Sequence, residues 1–208
     1  MKRSKKANNA IFKKLIWIIP AILIILIILI FVMNKKQTSQ CSQAVNDYLQ
    51  TAQKAETQEI MVVTGNNITV DYIGRLSDGS VFDTSIESIA TACGKYQTGR
   101  DYSQGLGFQV GGGQMIPGFD AGVQGMRLGE TKTITIPYQQ AYGERDEKKL
   151  LKMEMTEEFK DFKKGDSLMT DYGPIKVYET SKDSITFDTN HELAGKDLIF
   201  DITIKEIN

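Results

Sequence analysis

The sequence predicts an α+β fold with three parts: one N-terminal transmembrane helix, an antiparallel twisted β-sheet wrapped on a short helix, and a small, mostly-β inserted domain. Three observations predict it. One uncharged apolar stretch near the N-terminus is long enough to cross a bilayer. Apolar residues alternate with polar ones along much of the remaining chain, which is typical of half-buried strands. A segment that begins at Pro117 has the spacing of a short amphipathic helix.

The first element is residues 15–33, which contain no charge and would span roughly 28 Å as a helix, close to the thickness of the hydrocarbon core. Residues 1–14 form a basic tail, whereas only Lys35 and Lys36 follow the apolar stretch closely. This asymmetry predicts a single-pass cell-membrane protein with a cytoplasmic N-terminus and an extracytoplasmic main portion. A cleaved signal peptide is disfavoured because no small-residue cleavage site follows the stretch.

The charge of the remaining chain excludes one large class of partner. All 26 acidic residues but only 19 of the 25 basic ones follow Met33, so this portion carries a net charge of about −7. Nucleic acid is therefore not expected as a partner. Gly111-Gly112-Gly113 has neither the Lys-Ser/Thr pair nor the spacing of a phosphate-binding loop, so nucleotide binding is not expected either.

Residues 34–59 are predicted to be a stalk or linker. Apolar residues recur at helical spacing from Ser42 to Glu59, which favours a short amphipathic helix, and the weakness of that apolar face leaves a disordered tether as the alternative. Cys41 and Cys93 both fall on the outer side of the membrane, where a disulfide can persist. Nothing in the sequence brings the two together, so two free thiols are favoured over a bridge.

The main sheet begins with alternating residues from Ile68 to Leu76, and Asp78-Gly79 provides the turn of a hairpin. Residues 86–107 have no period and are long for a structureless connection, so they are either functional or decoration. Further predicted elements are a strand at Phe108-Gln109-Val110, a helix from Pro117 through Met126 that Gly129 closes, a strand at 131–136, and a closing strand at 198–205 whose Asp201, Thr203 and Lys205 form its polar face.

The inserted domain, residues 144–190, has a pattern of its own. A charged helix is expected at 147–153, and strands at 167–170, 175–178 and 185–187. Such a piece is small for an independent core, so it should depend on its two attachment points.

Chemistry based on a nucleophile or a metal is not expected. His191 is the single histidine, and no group of carboxylates, cysteines and histidines has the spacing of metal ligands or of a catalytic triad. No cofactor is predicted.

Several short strings, taken in order, are similar to those of the FKBP-type peptidyl-prolyl isomerases. They are Val70-Asp71-Tyr72, Phe82-Asp83-Thr84-Ser85, Ile116-Pro117-Gly118-Phe119, Ala141-Tyr142-Gly143 and Leu198-Ile199-Phe200-Asp201. The interval before the last string resembles the insert-in-flap domain of the SlyD-like subfamily, and the string from Asn190 to Gly195 looks most like archaeal members. The resemblance implies an isomerase domain at 60–143 plus 191–208 and a chaperone-like insertion at 144–190.

The resemblance also implies which residues form the prolyl site, although each aromatic residue by itself is equally compatible with an ordinary core position. The catalytic set that it implies is Tyr72, Phe82, Asp83, Ile116, Phe119, Tyr142 and Phe200. The further substrate-binding set is Leu106, Phe108, Met115, His191 and Leu193.

The insertion also contains apolar residues that can hold unfolded chains or form the small domain's own core. They are Met153, Met155, Phe159, Met169, Ile175, Val177 and Tyr178. The sequence thus predicts a prolyl isomerase and folding chaperone for unfolded or exported, proline-containing polypeptides at the outer face of the membrane. The alternative is a non-catalytic chaperone or binding module on the same fold.

Overall fold

A computed structural model of the chain describes residues 2–170 and 173–208, with side chains from Leu23 onward. The helices are α1 (Lys2–Ala52), α2 (Glu87–Ala92) and α3 (Pro117–Val123). The strands are β1 (Asn67–Arg75), β2 (Val81–Thr84), β3 (Leu106–Gln109), β4 (Thr131–Ile136), β5 (Leu150–Glu154), β6 (Ser167–Thr170), β7 (Gly173–Thr180), β8 (Ser184–Asp188) and β9 (Leu198–Ile207). Short 3₁₀ turns lie at Tyr138–Gln140 and Glu147–Lys149.

The first sheet confirms the predicted mixture of helices and antiparallel strands. Its order is β2-β1-β9-β4, and β3 pairs with the first half of β1 beside β2. The closing strand β9 is central: it pairs with β1 over its whole length and with β4 on the other side. This pairing brings the first and last strands of the region together, and their inward residues form one core.

Helix α3 packs on one face of this sheet. Pro117 occupies its first turn, where the missing N–H costs nothing. The helix ends at Val123 and does not extend to Met126 as the spacing predicted, because Gly125 adopts a positive φ of 74°. Met126 is still buried. The apolar spacing therefore predicted the burial of Met126 correctly, but the predicted length of the helix is wrong.

Helix α1 is one continuous element that contains the whole apolar stretch and continues to Ala52. From Leu23 to Met33 its large apolar side chains are all about half exposed or more. By length and composition it can cross a membrane, although a signal sequence satisfies the same criterion. The side chains of residues 1–22, which include the basic tail and the first part of the apolar stretch, lie outside the described part of the structure.

The helix predicted from Ser42 is present as far as Ala52, but this end of α1 docks on the other face of the sheet and is not a free stalk. Val45 is buried in a second core with Ile73, Val81 and Ile89. The hydroxyl of Tyr48 donates to Thr203 Oγ1 at 3.0 Å. Because α1 covers this face, Asp201 and Thr203 are buried and not solvent-facing as their polarity suggested.

Two further predictions on this side need correction. Cys41 and Cys93 are joined by a disulfide, which the sequence disfavoured because 52 residues separate them and no motif links them. Residues 86–107 are not structureless, since they contain α2, which buries Ile89 and Ala90. The short helix was missed because six residues carry too little periodicity to be recognised.

The inserted segment forms a second antiparallel sheet with the order β5-β8-β7-β6. The strands expected near 167–170, 175–178 and 185–187 are present. The helix expected at 147–153 is wrong: a 3₁₀ turn is followed by β5, because residues 150–154 pair with β8 along their whole length. Val177, Ile185 and Phe187 are the buried centre of this sheet.

Candidate active site

The inner face of the first sheet carries a cluster of aromatic side chains at the point where α3 crosses it. Phe119 on α3 lies at its centre, with its ring centroid 5.0 Å from Phe200, 5.8 Å from Phe108 and 6.1 Å from Tyr72. The interplanar angles are between 60° and 86°, the edge-to-face geometry that the ring quadrupole favours. We call Tyr72, Phe82, Phe108, Phe119 and Phe200 the aromatic cluster.

Phe82 extends this cluster toward solvent. It is half-buried, and its ring lies edge-to-face with Phe200 at 5.5 Å. Gly74 on β1 makes room for it, because a Cβ at this position would lie 2.6 Å from Cζ of Phe82. Gly74 therefore allows an aromatic side chain to lie directly over β1.

A hydrogen-bonded triplet of Tyr72, Asp83 and Arg100 forms the polar edge of the cluster. The Tyr72 hydroxyl donates to Asp83 Oδ2, while Arg100 donates to Asp83 Oδ1 at 2.6 Å and to the Tyr72 oxygen at 2.9 Å. Burial, reinforced by the hydrogen bond to Asp83, raises the pKa of Tyr72 well above its ordinary value. Partial burial alone would lower the pKa of Arg100, but its bonds to Tyr72 and Asp83 raise it. The triplet therefore keeps a neutral phenol beside a permanent cation.

Tyr142 and His191 form a second polar edge of the site. Their rings stack in parallel, with centroids 3.7 Å apart and an interplanar angle of 5°. Burial, together with the negative charges of Asp83 and Glu192, raises the pKa of Tyr142, and partial burial lowers the pKa of His191. The Tyr142 hydroxyl has no hydrogen-bond partner among the described residues, and Tyr142 as a whole is 40% exposed, so the hydroxyl is free to donate.

The chain that leads into α3 packs against the same aromatic cluster. Leu106, Met115 and Ile116 are half-buried and pack against the aromatic cluster, and Leu193 is buried in the same core. The backbone N–H of Ile116, just before the helix, has no acceptor within the part of the chain that the structure describes. Every residue that the sequence singled out for the prolyl site therefore lies in one region.

A family model of the FKBP-type peptidyl-prolyl cis-trans isomerases matches residues 58–205 of the chain. The chain belongs to this family. It is 40% identical over 151 residues to the short-type peptidyl-prolyl cis-trans isomerase of Methanocaldococcus jannaschii, an alignment that covers 71% of this chain and 94% of that protein. It is 38% identical over 81 residues to FK506-binding protein 2 of Yarrowia lipolytica and 42% identical over 83 residues to that of Debaryomyces hansenii, which covers only 46% and 50% of those proteins.

The geometry fits the activity of an FKBP-type prolyl isomerase. Rotation about an Xaa-Pro bond breaks no covalent bond and has a barrier of roughly 18–20 kcal/mol that comes from amide resonance. A catalyst needs only to bind the twisted amide better than the planar forms. An apolar, water-excluding surface with a few fixed donors does this, because it removes the solvation that favours the polar planar amide.

Sequence reasoning missed one residue of this FKBP site, Arg100. It lies in the segment that was interpreted as either functional or decoration, where no period or motif marks it. A basic residue flanked by glycine in a segment too long for a simple connection was the only available signal. Among the described residues, no group of three or more His, Cys, Asp and Glu has a metal-binding arrangement.

One assignment in the insertion is wrong. Val177 is buried, and Met155, Phe159 and Ile175 are partly buried against the same small core. Val177 therefore cannot contribute to an exposed client-binding surface. Among the described residues of the insertion, the large apolar side chains that are exposed are Leu151, Met153, Met169 and Tyr178.

Proposed function

We propose that the protein is a membrane-anchored prolyl isomerase and folding chaperone that acts on unfolded or exported polypeptides at the outer face of the membrane. Residues 60–143 with 191–208 form the isomerase domain, and residues 144–190 hold clients. The observation that carries the proposal is an aromatic cluster with free donors on its edge beside a second sheet that exposes apolar side chains.

In the prolyl site, we assign Phe119 as the floor for the proline ring. Tyr72, Phe82 and Phe200 are its walls, and Leu106, Phe108, Met115 and Leu193 complete the apolar surroundings. The Ile116 N–H and the Tyr142 hydroxyl, both without partners among the described residues, donate to substrate carbonyl oxygens. Asp83 provides a negative charge beside the twisting amide, and the stack of His191 on Tyr142 orients that donor.

The insertion binds unfolded chains through its exposed apolar side chains. Met153 and Met169 are 41% and 76% exposed, and methionine adapts to clients of varied shape. Tyr178 is flanked by Arg145 and Lys164, each within 5.5 Å of its ring, which favours contact with polar or acidic stretches of a client. Holding a client beside the prolyl site raises the effective concentration of its proline bonds.

Two independent features support an outer location. The excess of basic residues before the apolar stretch favours a cytoplasmic N-terminus. A disulfide persists in oxidising compartments and is rare in the cytosol. In intact cells, added protease should therefore cleave the main portion, whereas protection until the membrane is permeabilised would contradict this orientation.

The division of labour is tested on the full chain in detergent micelles. We expect Phe119→Ala to lower kcat/KM for both a short Xaa-Pro peptide and a proline-limited refolding protein. The double variant Met153→Ser, Met169→Ser should lower it only for the protein client and should weaken suppression of aggregation. The refolding rate of the client and its light scattering measure the two effects.

A matched control is available on the isomerase domain. Ile60 and Val63 are 52% and 57% exposed, similar to the insertion's apolar residues, so Ile60→Ser with Val63→Ser should change neither activity. Equal losses on peptide and protein for the insertion variant would argue against a client-holding role. Loss in the control variant would show that general surface apolarity, not the insertion, binds clients.

A further inference from the structure

The segment between β2 and β3 connects the docked end of α1 to the prolyl site. We propose that the Cys41–Cys93 disulfide positions Arg100, so that Cys41 and Cys93 are positioning residues for the isomerase reaction. This inference rests on the proposed prolyl site, and it concerns how that site is held in place. Cys41 lies on α1, and Cys93 immediately follows α2, seven residues before Arg100.

Helix α2 cannot hold its own position. It has six residues, far below the length at which a helix is stable alone in water. Its anchors are the burial of Ile89 and Ala90 and the covalent bond from its last turn to α1. The position of the backbone that follows α2 therefore depends on its attachment to α1.

A continuous set of contacts runs from that point to the site. Gly94 lies against Gln37 of α1, so closely that a Cβ would come within 2.6 Å of the Gln37 amide nitrogen. The next N–H, of Lys95, donates back to the carbonyl of Ala90 at 2.7 Å. The backbone immediately after the disulfide is thereby held on both α1 and α2.

Tyrosine stacking completes the connection. The rings of Tyr96 and Tyr102 stack with centroids 5.4 Å apart, and the N–H of Gln97 donates to the Tyr102 hydroxyl at 3.0 Å. The guanidinium carbon of Arg100 lies 5.2 Å from the centroid of the Tyr102 ring. From there Arg100 reaches Asp83 and Tyr72, so the disulfide at one end and the triplet at the other hold the segment.

Reduction by dithiothreitol tests this connection. Two electrons and two protons convert the disulfide into two thiols, and dithiothreitol becomes its cyclic disulfide. The segment then loses its covalent bond to α1 and is held by non-covalent contacts alone, so the fraction of molecules with Arg100 on Asp83 falls. Loss of that contact lowers kcat more than it raises KM, because the surfaces that bind the proline ring are unchanged.

The experiment compares kcat/KM of the oxidised and reduced full chain for a short Xaa-Pro peptide, at a temperature at which circular dichroism shows both forms folded. We expect reduction to lower kcat/KM by about threefold to tenfold, which lies in the lower part of the range of couplings within one contact network. Cys93→Ala should reproduce the reduced value. In an Arg100→Gln background, where the positioned group is already absent, reduction should change kcat/KM by less than about 1.5-fold.

Tyr48→Phe is the matched control. It removes the hydrogen bond from α1 to Thr203 but keeps the disulfide, so it weakens docking without freeing the Arg100 segment, and kcat/KM should stay unchanged. An unchanged rate on reduction of the wild-type chain, or an equal fall in the Arg100→Gln background, overturns the inference while the proposed function stands. Absence of turnover in the oxidised chain overturns both.

Discussion

At the scale of single residues, the carboxylate of Asp83 accepts hydrogen bonds from two donors at the edge of the proposed prolyl site. Asp83 receives the Tyr72 hydroxyl on Oδ2 and the Arg100 guanidinium on Oδ1. An asparagine has a similar shape but only one acceptor oxygen, and its amide nitrogen would face a donor. The charge of Asp83 and both of its oxygens are therefore required together.

We accordingly expect Asp83→Asn to lower kcat/KM for an Xaa-Pro peptide by roughly tenfold or more, the value of one charge-assisted hydrogen bond. Stopped-flow or coupled-protease measurement of peptide isomerisation gives this number. Asp101→Asn is the control, since Asp101 lies in the same segment but, within the described part of the chain, bonds only to Ser103. If both variants retained full activity, Asp83 would have no part in turnover.

We expect His191 to set the pH dependence of both stability and peptide turnover in the acid range. Partial burial lowers its pKa, so the folded protein binds the proton less readily than the unfolded chain does. The neutral ring is thus favoured in the folded state, and its contribution to stability is complete above the ordinary histidine pKa of about 6.5 and falls as pH drops below that value.

Because His191 stacks on Tyr142, we expect peptide kcat/KM to decrease below about pH 6.5 as the protonated ring leaves the stack. In His191→Gln this decrease should disappear, while activity at pH 7.5 stays within a few-fold of the wild type. A pH–rate profile from pH 5 to 8 measures both. An identical acid limb in the variant would assign the titration to another group.

At the scale of elements, the site depends on how closely α3 approaches β4. A methyl group on Gly118 would overlap the Cγ2 methyl of the buried Ile136, so only glycine permits this spacing. The next residue, Phe119, is the floor of the aromatic cluster. A small outward shift of the helix would therefore misplace the floor as well as open the core.

We expect Gly118→Ala to lower the free energy of unfolding by about 1–3 kcal/mol through overpacking, and to lower peptide turnover with it. Urea unfolding and the peptide assay test the two effects. Gly107→Ala is the control on β3, because a Cβ there meets nothing closer than 3.9 Å and its φ is not positive. Equal stability of the two variants would show that α3 can relax without cost.

Individual elements also show how far the sequence could predict this structure. The alternation of apolar and polar residues predicted β4 and β9, because each strand has one face on the core. The residues of the prolyl site were predicted from the family resemblance of the ordered short strings. The polarity of Asp201 suggested solvent, yet Arg75 and Thr133 satisfy its carboxylate beneath α1. Three features could not be predicted: the docking of α1, the disulfide, and the role of Arg100. Each depends on contacts between segments that are distant in sequence, and the periodicity of apolar residues reports only local structure.

At the scale of the whole molecule, the two sheets differ in how much core supports them. Fifteen apolar residues are buried in the main core of the first sheet, whereas only three are buried in the second among the described residues. Asn190 ties the two chain crossings together: its amide donates to the Asp146 carbonyl and to Asp188, and it accepts from the Asp146 N–H. The second sheet should therefore open before the first, with Asn190 limiting how often it does.

Native-state hydrogen exchange measures this order. We expect amides in β5 and β8 to exchange faster than those in β1 and β9, since local stability follows buried contacts. Asn190→Ala should accelerate exchange in β5 and β8 by roughly tenfold, the value of about one net hydrogen bond, and leave β1 and β9 unchanged. Lys160→Ala, which removes an exposed ion pair with Glu157, should change neither set. If all four strands exchanged at one rate, the molecule would open as a single unit, and the smaller core of the second sheet would not make it the less stable part.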